Sequence, residues 1–330
     1  MRTPLLVYDV NRWAWHYRAT DTAAAAPPGI DPTTMQASTF LAHVGDRGFW
    51  DRYDSLFFMS WAGCPIDRIR KSSCRRLVTL VTSAGPAFRA LDGDDWRTWI
   101  VTGSRNFGNA HSKLPRFDAI ITVNRFLYDA CRKHTDGEVR MIPSGVNCEL
   151  FRPAEQPQPE GRPFRVGWCA NIKGTHTVKG HREILVPLMS ERPEWDWQVN
   201  TNDRRSAWPR EEMAAWYRTL DAFLCTSVIE GTPSPVFEAA ASGVPIVSTD
   251  VGCVEDWPLP HELGLIASPY RNPVEAQATQ NQLLDTLTGL SRLTADERRS
   301  LGLQLRADVE QRYSYEVIAP QYLEVICPES

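Results

Sequence analysis

Two glutamates eight residues apart, Glu230 and Glu238, are the residues whose types and spacing point most clearly to chemistry. The segment between them, GTPSPVF, combines turn formers with the signals of a helix start. A helix that begins where a strand ends offers free backbone N–H groups and a positive dipole end, which favour phosphate. Carboxylates there would not bind phosphate but would accept hydrogen bonds from hydroxyls. A ligand with both kinds of group is a sugar nucleotide.

The elements that hold these glutamates follow from the neighbouring residues. Phe223–Ser227 is a short apolar run, which predicts a strand buried on both faces, and Glu230 follows its end. Alanine-rich residues after Glu230 predict a helix from about Pro235 to Ser242, and Gly243 ends it. The other expected features are N-cap hydroxyls at Thr232 and Ser234, each before a proline, and a buried strand at Val244–Ser248.

The segment Glu230–Glu238 resembles the E-x7-E signature of retaining GT-B glycosyltransferases, the large family-4 group, in its EGTPxPxxEA variant. The resemblance extends over roughly Phe117–Trp257 and is weak before it. Three further segments are similar to family motifs: Ile142–Pro153 (IPSGVNCELFRP), Val166–Gly180 (VGWCANIKGTHTVKG) and Met213–Asp221 (MAAWYRTLD).

The resemblance implies an α/β protein of the GT-B class, with two Rossmann-like doubly wound domains that face each other across a cleft. The alternation of short apolar runs with helical segments independently predicts parallel, doubly wound sheets. We expect an acceptor-binding domain over 1–155, a nucleotide-sugar-binding domain over 156–312, and a final helix over 313–330 that crosses back onto the first. The proline-rich Pro153–Pro163 is interpreted as the linker.

The resemblance also assigns roles. Glu238 would bind the ribose of the donor, Glu230 the hydroxyls of the transferred sugar, and Lys173 and Lys179 the diphosphate, with Glu230 and Lys179 as the catalytic pair. A lysine keeps the charge of the family's arginine but loses its bidentate geometry. The remaining donor-binding candidates are Gly231, Thr232, Pro233 and Ser234.

By the same resemblance, the reaction is transfer of a hexose from a nucleotide-diphosphate sugar to a hydroxyl, by front-face displacement with retention of configuration. No cofactor and no metal are expected, and UDP is favoured over GDP. The short stretch between Trp195 and Asp221 leaves the base open, because the family usually has another strand–helix unit there. Asp92-Gly93-Asp94-Asp95 resembles a D-x-D metal motif but is interpreted as a surface turn.

The first domain departs from the family pattern. Where the family has a Gly-Gly turn after its first strand, this chain has Asn11, Arg12 and Trp13, which either contact donor or acceptor or form a packed aromatic turn. Where many members have a histidine that touches the sugar, it has Thr82 and Ser83. These residues are the candidate acceptor or donor loops.

The acceptor is the open part of the prediction. Asp67–Arg76 is a basic run, which is either a solvated surface or a contact for an anionic acceptor such as a lipid headgroup or nucleic acid. Its basic residues are Arg68, Arg70, Lys71, Arg75 and Arg76. The alternatives are the same chemistry on a modified DNA base, as in a phage-type enzyme, a nucleotide-sugar epimerase, or an inactive sugar-nucleotide-binding protein.

Composition agrees with a two-domain globular protein. The 330 residues are 42% hydrophobic and 23% charged, with a net charge of −4. No run is apolar enough to span a bilayer. Eight scattered cysteines without a metal-binding spacing indicate free buried thiols in a reducing cytoplasm. We expect a cytoplasmic location. The alternatives are a peripheral position on the inner face of the membrane and, if the protein is phage-encoded, the cytoplasm of the host.

Overall fold

The structure is a computed structural model that describes residues 1–82, 110–172, 178–201, 208–270 and 272–329. The chain divides into two compact units. Unit 1 consists of Met1–Gly145 together with Tyr315–Ser330, and unit 2 of Val146–Ser314. Each unit is built around one parallel sheet.

Apolar, largely buried runs form the strands. Unit 1 contains β1 (Pro4–Tyr8), β2 (Thr33–Gln36), β3 (Ser55–Phe58), β4 (Leu77–Val81), β5 (Ala119–Thr122) and β6 (Glu138–Met141). Unit 2 contains β7 (Arg165–Cys169), β8 (Asp196–Asn200), β9 (Ala222–Cys225), β10 (Ile246–Thr249) and β11 (Ile266–Ala267).

Helices connect these strands. In chain order they are α1 (Ala14–Ala24), α2 (Ala37–His43), α3 (Arg47–Trp50), α4 (Ile66–Ile69), α5 (Ala110–Lys113), α6 (Arg125–Arg132), α7 (Val186–Glu191), α8 (Arg210–Tyr217), α9 (Ser234–Ala241), α10 (Pro258–Glu262), α11 (Pro273–Arg292), α12 (Ala295–Tyr313) and α13 (Tyr315–Ile326). A π-helical turn, His181–Leu185, leads into α7.

The two sheets share one topology. Unit 1 has the order β2-β1-β3-β4-β5-β6 and unit 2 the order β11-β10-β9-β7-β8, with all paired strands parallel. In unit 2, β7 lies between β8 and β9, with Val166 opposite both Trp197 and Ala222. In each sheet the first strand therefore separates the second from the third, which is the doubly wound arrangement predicted from the sequence.

The last helix, α13, belongs to the core of unit 1. Ile318, Tyr322 and Leu323 are buried in the same apolar cluster as the strands, and the Tyr322 ring lies 5.8 Å from that of Phe57. The helix begins immediately after the end of unit 2 at Ser314. Unit 1 is thus completed by residues from both ends of the chain.

Pro153–Pro163 lies within unit 2 rather than between the units. Gln158 donates to the Arg218 carbonyl, Glu160 accepts from the Ala295 N–H at 2.7 Å, and Arg162 pairs with Asp221 at 2.9 Å. Contacts along the whole segment therefore hold it to unit 2. The unit boundaries fall at 145/146 and 314/315, whereas the sequence placed them at 155/156 and 312/313.

Two predictions about helix starts had different outcomes. The capping box at Thr294 and Glu297 is present at the start of α12. The expected caps of α9 were wrong, because Ser234 is already the first helical residue and Pro233 occupies the N-cap without a side-chain hydrogen bond. Gly243 ends α9 with φ +71°, as predicted.

Candidate functional site

The topology of unit 2 places a switch point between β7 and β9. The chain leaves β7 toward β8 on one side, while β9 lies on the other, so the loops after β7 and β9 diverge at their carboxyl ends. Open α/β sheets bind ligands in such crevices. The two loops cover 170–180, of which 173–177 lie outside the described residues, and 226–233.

Hydrogen bonds fasten these two loops to each other. The Val228 N–H donates to the Val178 carbonyl at 2.8 Å, and the Thr226 hydroxyl donates to the Lys179 carbonyl at 2.7 Å. Trp168 on β7 donates its indole N–H to the same hydroxyl at 2.9 Å. The main chain around Lys179 is thereby fixed over the end of β9.

Gly180 makes this close approach possible. Its φ is +63°, and a Cβ there would lie 2.1 Å from the Thr226 carbonyl oxygen. A side chain at this position would both strain the backbone and collide with it. The lysine–glycine turn formed by Lys179 and Gly180 therefore requires its glycine for steric reasons.

Lys179 and Glu230 form an ion pair across the switch point. The Lys179 ammonium donates to Glu230 Oε1, which also accepts from the Ser227 hydroxyl at 2.7 Å. The side chains are only 22% and 16% exposed. Burial alone lowers the pKa of Lys179, but the charge and hydrogen bond of Glu230 outweigh it, so the pKa lies above its ordinary value. Lys179 is therefore charged at neutral pH.

Glu238 lies one turn into α9 and is held by a residue that the sequence did not single out. The Tyr217 hydroxyl, at the end of α8, donates to Glu238 Oε2 at 2.9 Å. Burial and then the nearby carboxylate raise the pKa of Tyr217 well above its ordinary value, so it remains a donor. Tyr217 falls in the family-like segment MAAWYRTLD, for which the sequence analysis proposed no site residue.

A second close backbone contact supports the loop between the glutamates. The Cys253 N–H donates to the Gly231 carbonyl at 2.9 Å, and a Cβ on Gly252 would lie 2.3 Å from that oxygen. Pro233 is buried, whereas Thr232 and Ser234 are partly exposed. The loop can thus offer polar groups on a fixed backbone.

Three sequence predictions lie outside the described residues. They are the second diphosphate lysine, Lys173, the loop candidate Ser83, and the turn Asp92-Gly93-Asp94-Asp95. Among the described residues, no group of three or more His, Cys, Asp or Glu side chains is arranged to hold a metal ion. In the same part of the chain, no helix is long and apolar enough to cross a membrane.

The loop after β1 lies at the corresponding switch point of unit 1, between β1 and β3. Arg12 has φ +57°, the one positive value among described residues other than glycine. Its N–H donates to His16 Nδ1 at 3.0 Å, and Asn11 accepts from the Tyr8 hydroxyl at 2.8 Å. Arginine therefore adopts the left-handed conformation that a glycine turn would favour. Trp13 is the N-cap of α1, and Thr82 follows β4.

The basic run Asp67–Arg76 is partly structural. Arg70 pairs with Asp118 at 3.0 Å, Arg76 with Glu138 at 2.7 Å, and Arg68 donates to the Leu41 carbonyl at 3.1 Å. Arg76 and Asp118 immediately precede β4 and β5, so this part of the run lies at the amino edge of the sheet. The loops after β1 and β4 lie at the opposite, carboxyl edge. The remaining basic residues, Lys71 and Arg75, are exposed.

Residues 191–286, which include both glutamates, match the model of a protein family described as glycosyl transferases group 1. The matched segment lies within unit 2. The putative glycosyltransferase EpsF of Bacillus subtilis (strain 168) is 27% identical over 157 residues, which cover 39% of this chain and 40% of that protein. The match thus spans about two fifths of the relative's length.

Solved structures resemble the chain over nearly its whole length. Sucrose-phosphate synthase from Thermosynechococcus elongatus has a TM-score of 0.72 at 16% identity, with 98% of each chain covered. Trehalose-6-phosphate synthase OtsA has 0.66 at 11%, with 100% of each covered, and Anabaena Alr3699/HepE in complex with UDP and glucose has 0.63 at 13%, with 98% and 99% covered. The chain has the GT-B fold, and the predicted fold class is confirmed.

Proposed function

We propose that this protein is a retaining glycosyltransferase that moves a hexose from a nucleotide-diphosphate sugar to an acceptor hydroxyl. The observation that carries the proposal is the Lys179–Glu230 pair at the switch point of unit 2, with Glu238 on the helix that follows. The group 1 glycosyltransferase match over residues 191–286, which include both glutamates but not Lys179, supports it. In this proposal the carboxylates recognise hydroxyls and the lysine recognises the diphosphate.

Glu230 and Glu238 have the properties that hydroxyl recognition requires. Each is partly exposed and accepts a hydrogen bond from a fixed neighbour, Ser227 for Glu230 and Tyr217 for Glu238. A carboxylate has acceptor capacity for several donors, so these contacts orient it and leave capacity for a ligand. Glu230 would accept from the transferred sugar and Glu238 from the ribose.

Positive charge for the diphosphate would come from Lys179, Lys173 and the amino end of α9. In a front-face displacement, the bond from the anomeric carbon to the phosphate oxygen breaks while a bond to the acceptor oxygen forms on the same face. The acceptor proton passes to the leaving phosphate oxygen. The rate acceleration then comes from positioning of the two substrates and from stabilisation of the charge on the leaving diphosphate. The proposal requires neither a side-chain nucleophile nor a metal.

UDP is the nucleotide we propose for the donor. The complex of Anabaena Alr3699/HepE with UDP and glucose, a protein of the same fold, supports this choice. The test is a panel of UDP- and GDP-hexoses, scored for binding and for slow hydrolysis. Preferential use of a GDP sugar would overturn the assignment of uracil as the base but would not affect the proposed class of reaction.

Variants of the glutamates test the reaction itself. Glu230→Ala and Glu238→Ala should each lower kcat/KM for the best donor at least about 100-fold, because each removes an oriented acceptor. Glu212→Ala, on the exposed first turn of α8, is the matched control and should retain full activity. Undiminished turnover in both site variants would refute the assignment, and an inverted anomer by NMR would refute retention. Sugar epimerisation, or binding without turnover, would favour the alternative functions.

The acceptor is proposed to be anionic. Lys71 and Arg75 are exposed basic residues that support this, since Arg70 and Arg76 are engaged in ion pairs. Because Arg75 lies near the amino edge of the sheet, they would contact a part of a macromolecular acceptor away from the reacting hydroxyl. Sedimentation with phosphatidylglycerol vesicles and gel shifts with duplex DNA, both over a salt series, distinguish a lipid from a nucleic acid. Lys71→Glu combined with Arg75→Glu should weaken the interaction, whereas Arg52→Glu should not. Absence of both interactions would refute an anionic macromolecular acceptor.

A further inference from the structure

Unit 2 has a polar pocket at the edge of its sheet opposite the candidate donor site. It is a shallow pocket of about 440 Å³, a volume that includes space open to solvent. Leu220 and Asp221 precede β9, and Val244 and Pro245 precede β10, so the pocket lies at the amino ends of these strands. Lys179 and Glu230 lie beyond their carboxyl ends.

Positive charge dominates the lining of the pocket. Arg218, Arg298 and Arg299 line it, and Asp221 is the one acidic side chain among the lining residues. Asp221 is 3% exposed and already pairs with Arg162 at 2.9 Å and with Arg298 at 3.3 Å. It therefore does not neutralise the other two arginines.

The three arginines differ in how they are held. Arg298 donates to the Leu293 carbonyl, and its guanidinium lies 5.5 Å from the centre of the Phe164 ring. Arg299 donates to the Ala154 carbonyl at 2.8 Å. The Arg218 side chain forms no hydrogen bond or ion pair with any described residue, although it is partly buried. A fixed pair of cations thus lies beside one that has no protein partner in the described structure.

Two buried polar atoms at the pocket are also unsatisfied within the described structure. Ser242 is 2% exposed, and its hydroxyl has no hydrogen-bond partner. Arg298 Nε is a buried atom that also has no hydrogen-bond partner. Leaving a buried donor unpaired costs about 1–3 kcal/mol, so such atoms usually contact water or a ligand. A hydroxyl and several guanidinium groups together match an oxyanion with three or more acceptor oxygens.

We propose that this pocket binds a phosphate group, either as inorganic phosphate or as the phosphate of a phosphorylated metabolite. The bound group lies against the end of the helix that carries Glu238, because Ser242 directly follows α9 and its N–H donates to the Glu238 carbonyl at 3.0 Å. This site is separate from the proposed donor site and does not depend on the proposed reaction.

Calorimetric titration and thermal unfolding test the site on the full chain, with inorganic phosphate, a hexose phosphate and the unphosphorylated hexose as probes. Sodium chloride at matched ionic strength controls for screening. Phosphate compounds, and not the hexose or chloride, should bind at one site and raise Tm by roughly 2–4 °C. Tighter binding of the hexose phosphate than of phosphate would identify a metabolite as the source.

Variants separate this pocket from the donor site. Arg218→Ala should weaken phosphate binding at least tenfold, Arg218→Lys should weaken it less, and Ser242→Ala should weaken it independently. Arg52→Ala, at an exposed arginine of unit 1, should leave it unchanged, as should Lys179→Met. Retained binding in both Arg218→Ala and Ser242→Ala would refute the proposal, and so would loss of binding in Lys179→Met.

Discussion

The Lys179 ammonium donates a hydrogen bond to Glu230 Oε1 and so joins the loop that follows β7 to the loop that follows β9. Each partner is fixed by its own loop, Lys179 through the main-chain contact of its carbonyl with Thr226 and Glu230 through Ser227. The pair is mostly buried, which strengthens its electrostatic interaction. It therefore sets both the charge and the geometry of the candidate site.

Breaking this pair should destabilise unit 2. Lys179→Met and Glu230→Gln each leave one partly buried group unpaired, which should lower the free energy of unfolding by about 1–3 kcal/mol. The double variant should lose less than the sum of the two, because it leaves no unpaired charge. Urea unfolding of the wild type, the two single variants and the double variant measures the coupling energy between the two residues. Strictly additive losses of unfolding free energy would contradict the coupling.

The same pair predicts a pH dependence. The folded-state pKa of Lys179 is raised above its ordinary value of 10.5. Its contribution to the free energy of unfolding is therefore complete below pH 10.5 and is lost as the pH rises through the folded-state pKa. The difference in unfolding free energy between the wild type and Lys179→Met should therefore be constant from pH 7 to 9 and shrink at strongly alkaline pH. A difference that grew with alkalinity would contradict the assigned direction.

Two glycines with similar backbone angles provide a matched test of the lysine–glycine turn. Gly161 has φ +80°, and a Cβ there would have no atom within 4 Å, whereas a Cβ on Gly180 would meet the Thr226 carbonyl. Gly161→Ala should cost about 1–2 kcal/mol of unfolding free energy, from backbone strain alone. Gly180→Ala should cost clearly more and also weaken donor binding. Equal costs in thermal unfolding would show that the loops do not approach so closely.

The buried strands were predictable from the sequence because a sheet covered on both faces needs uninterrupted apolar runs. The strands predicted at Phe223–Ser227 and Val244–Ser248 overlap β9 (Ala222–Cys225) and β10 (Ile246–Thr249). The strands that were missed, Thr33–Gln36 and Glu138–Met141, lie at the edges of the unit 1 sheet and are partly exposed. Their polar residues give no apolar run, so only pairing with a neighbour identifies them.

Less of the candidate site was predictable, because its geometry depends on contacts between distant residues. The sequence identified Lys179, Glu230 and Glu238 through motifs but gave no sign that the first two form an ion pair. Tyr217 lies 21 positions from Glu238, and the family-like segment that contains it gave no sign of this hydrogen bond. The conformation of Arg12 was hidden for a different reason, since an arginine carries no preference for positive φ.

Tyr217 should matter to donor binding through Glu238. Tyr217→Phe removes a hydrogen bond to a carboxylate and should raise the donor KM about tenfold with a smaller effect on kcat. Tyr322→Phe is a matched control, because it also removes a buried hydroxyl, one that donates to the Ile142 carbonyl at 3.3 Å in unit 1. The control should alter stability only. Steady-state kinetics with the best donor are measured for both variants. An equal rise in the donor KM in Tyr217→Phe and Tyr322→Phe would contradict a specific role for Tyr217.

The cysteines should be unreactive while the protein is folded. All eight are free, and burial raises the pKa of Cys64, Cys131 and Cys253 to about 12. At pH 8 only roughly one in 10⁴ of such thiols is ionised, and the thiolate is the reactive form. Titration with a disulfide reagent should detect eight thiols in urea and few of them rapidly without it. Rapid modification of all eight in the native protein would contradict this burial.

Replacing Arg12 separates the strain of its backbone from the function of its side chain. Arg12→Gly removes the strain of positive φ, which costs about 1–2 kcal/mol. The glycine also loses more chain entropy on folding, which destabilises the folded state by about 0.5–1 kcal/mol, so the net effect should be a slight stabilisation. Arg12→Ala keeps the strain, and Arg52→Gly, at a residue without positive φ, should destabilise. If the guanidinium contacts donor or acceptor, both Arg12 variants raise the same KM although only Arg12→Gly relieves the strain. If neither variant changes any kinetic constant, the turn has only the packing role that the sequence left open.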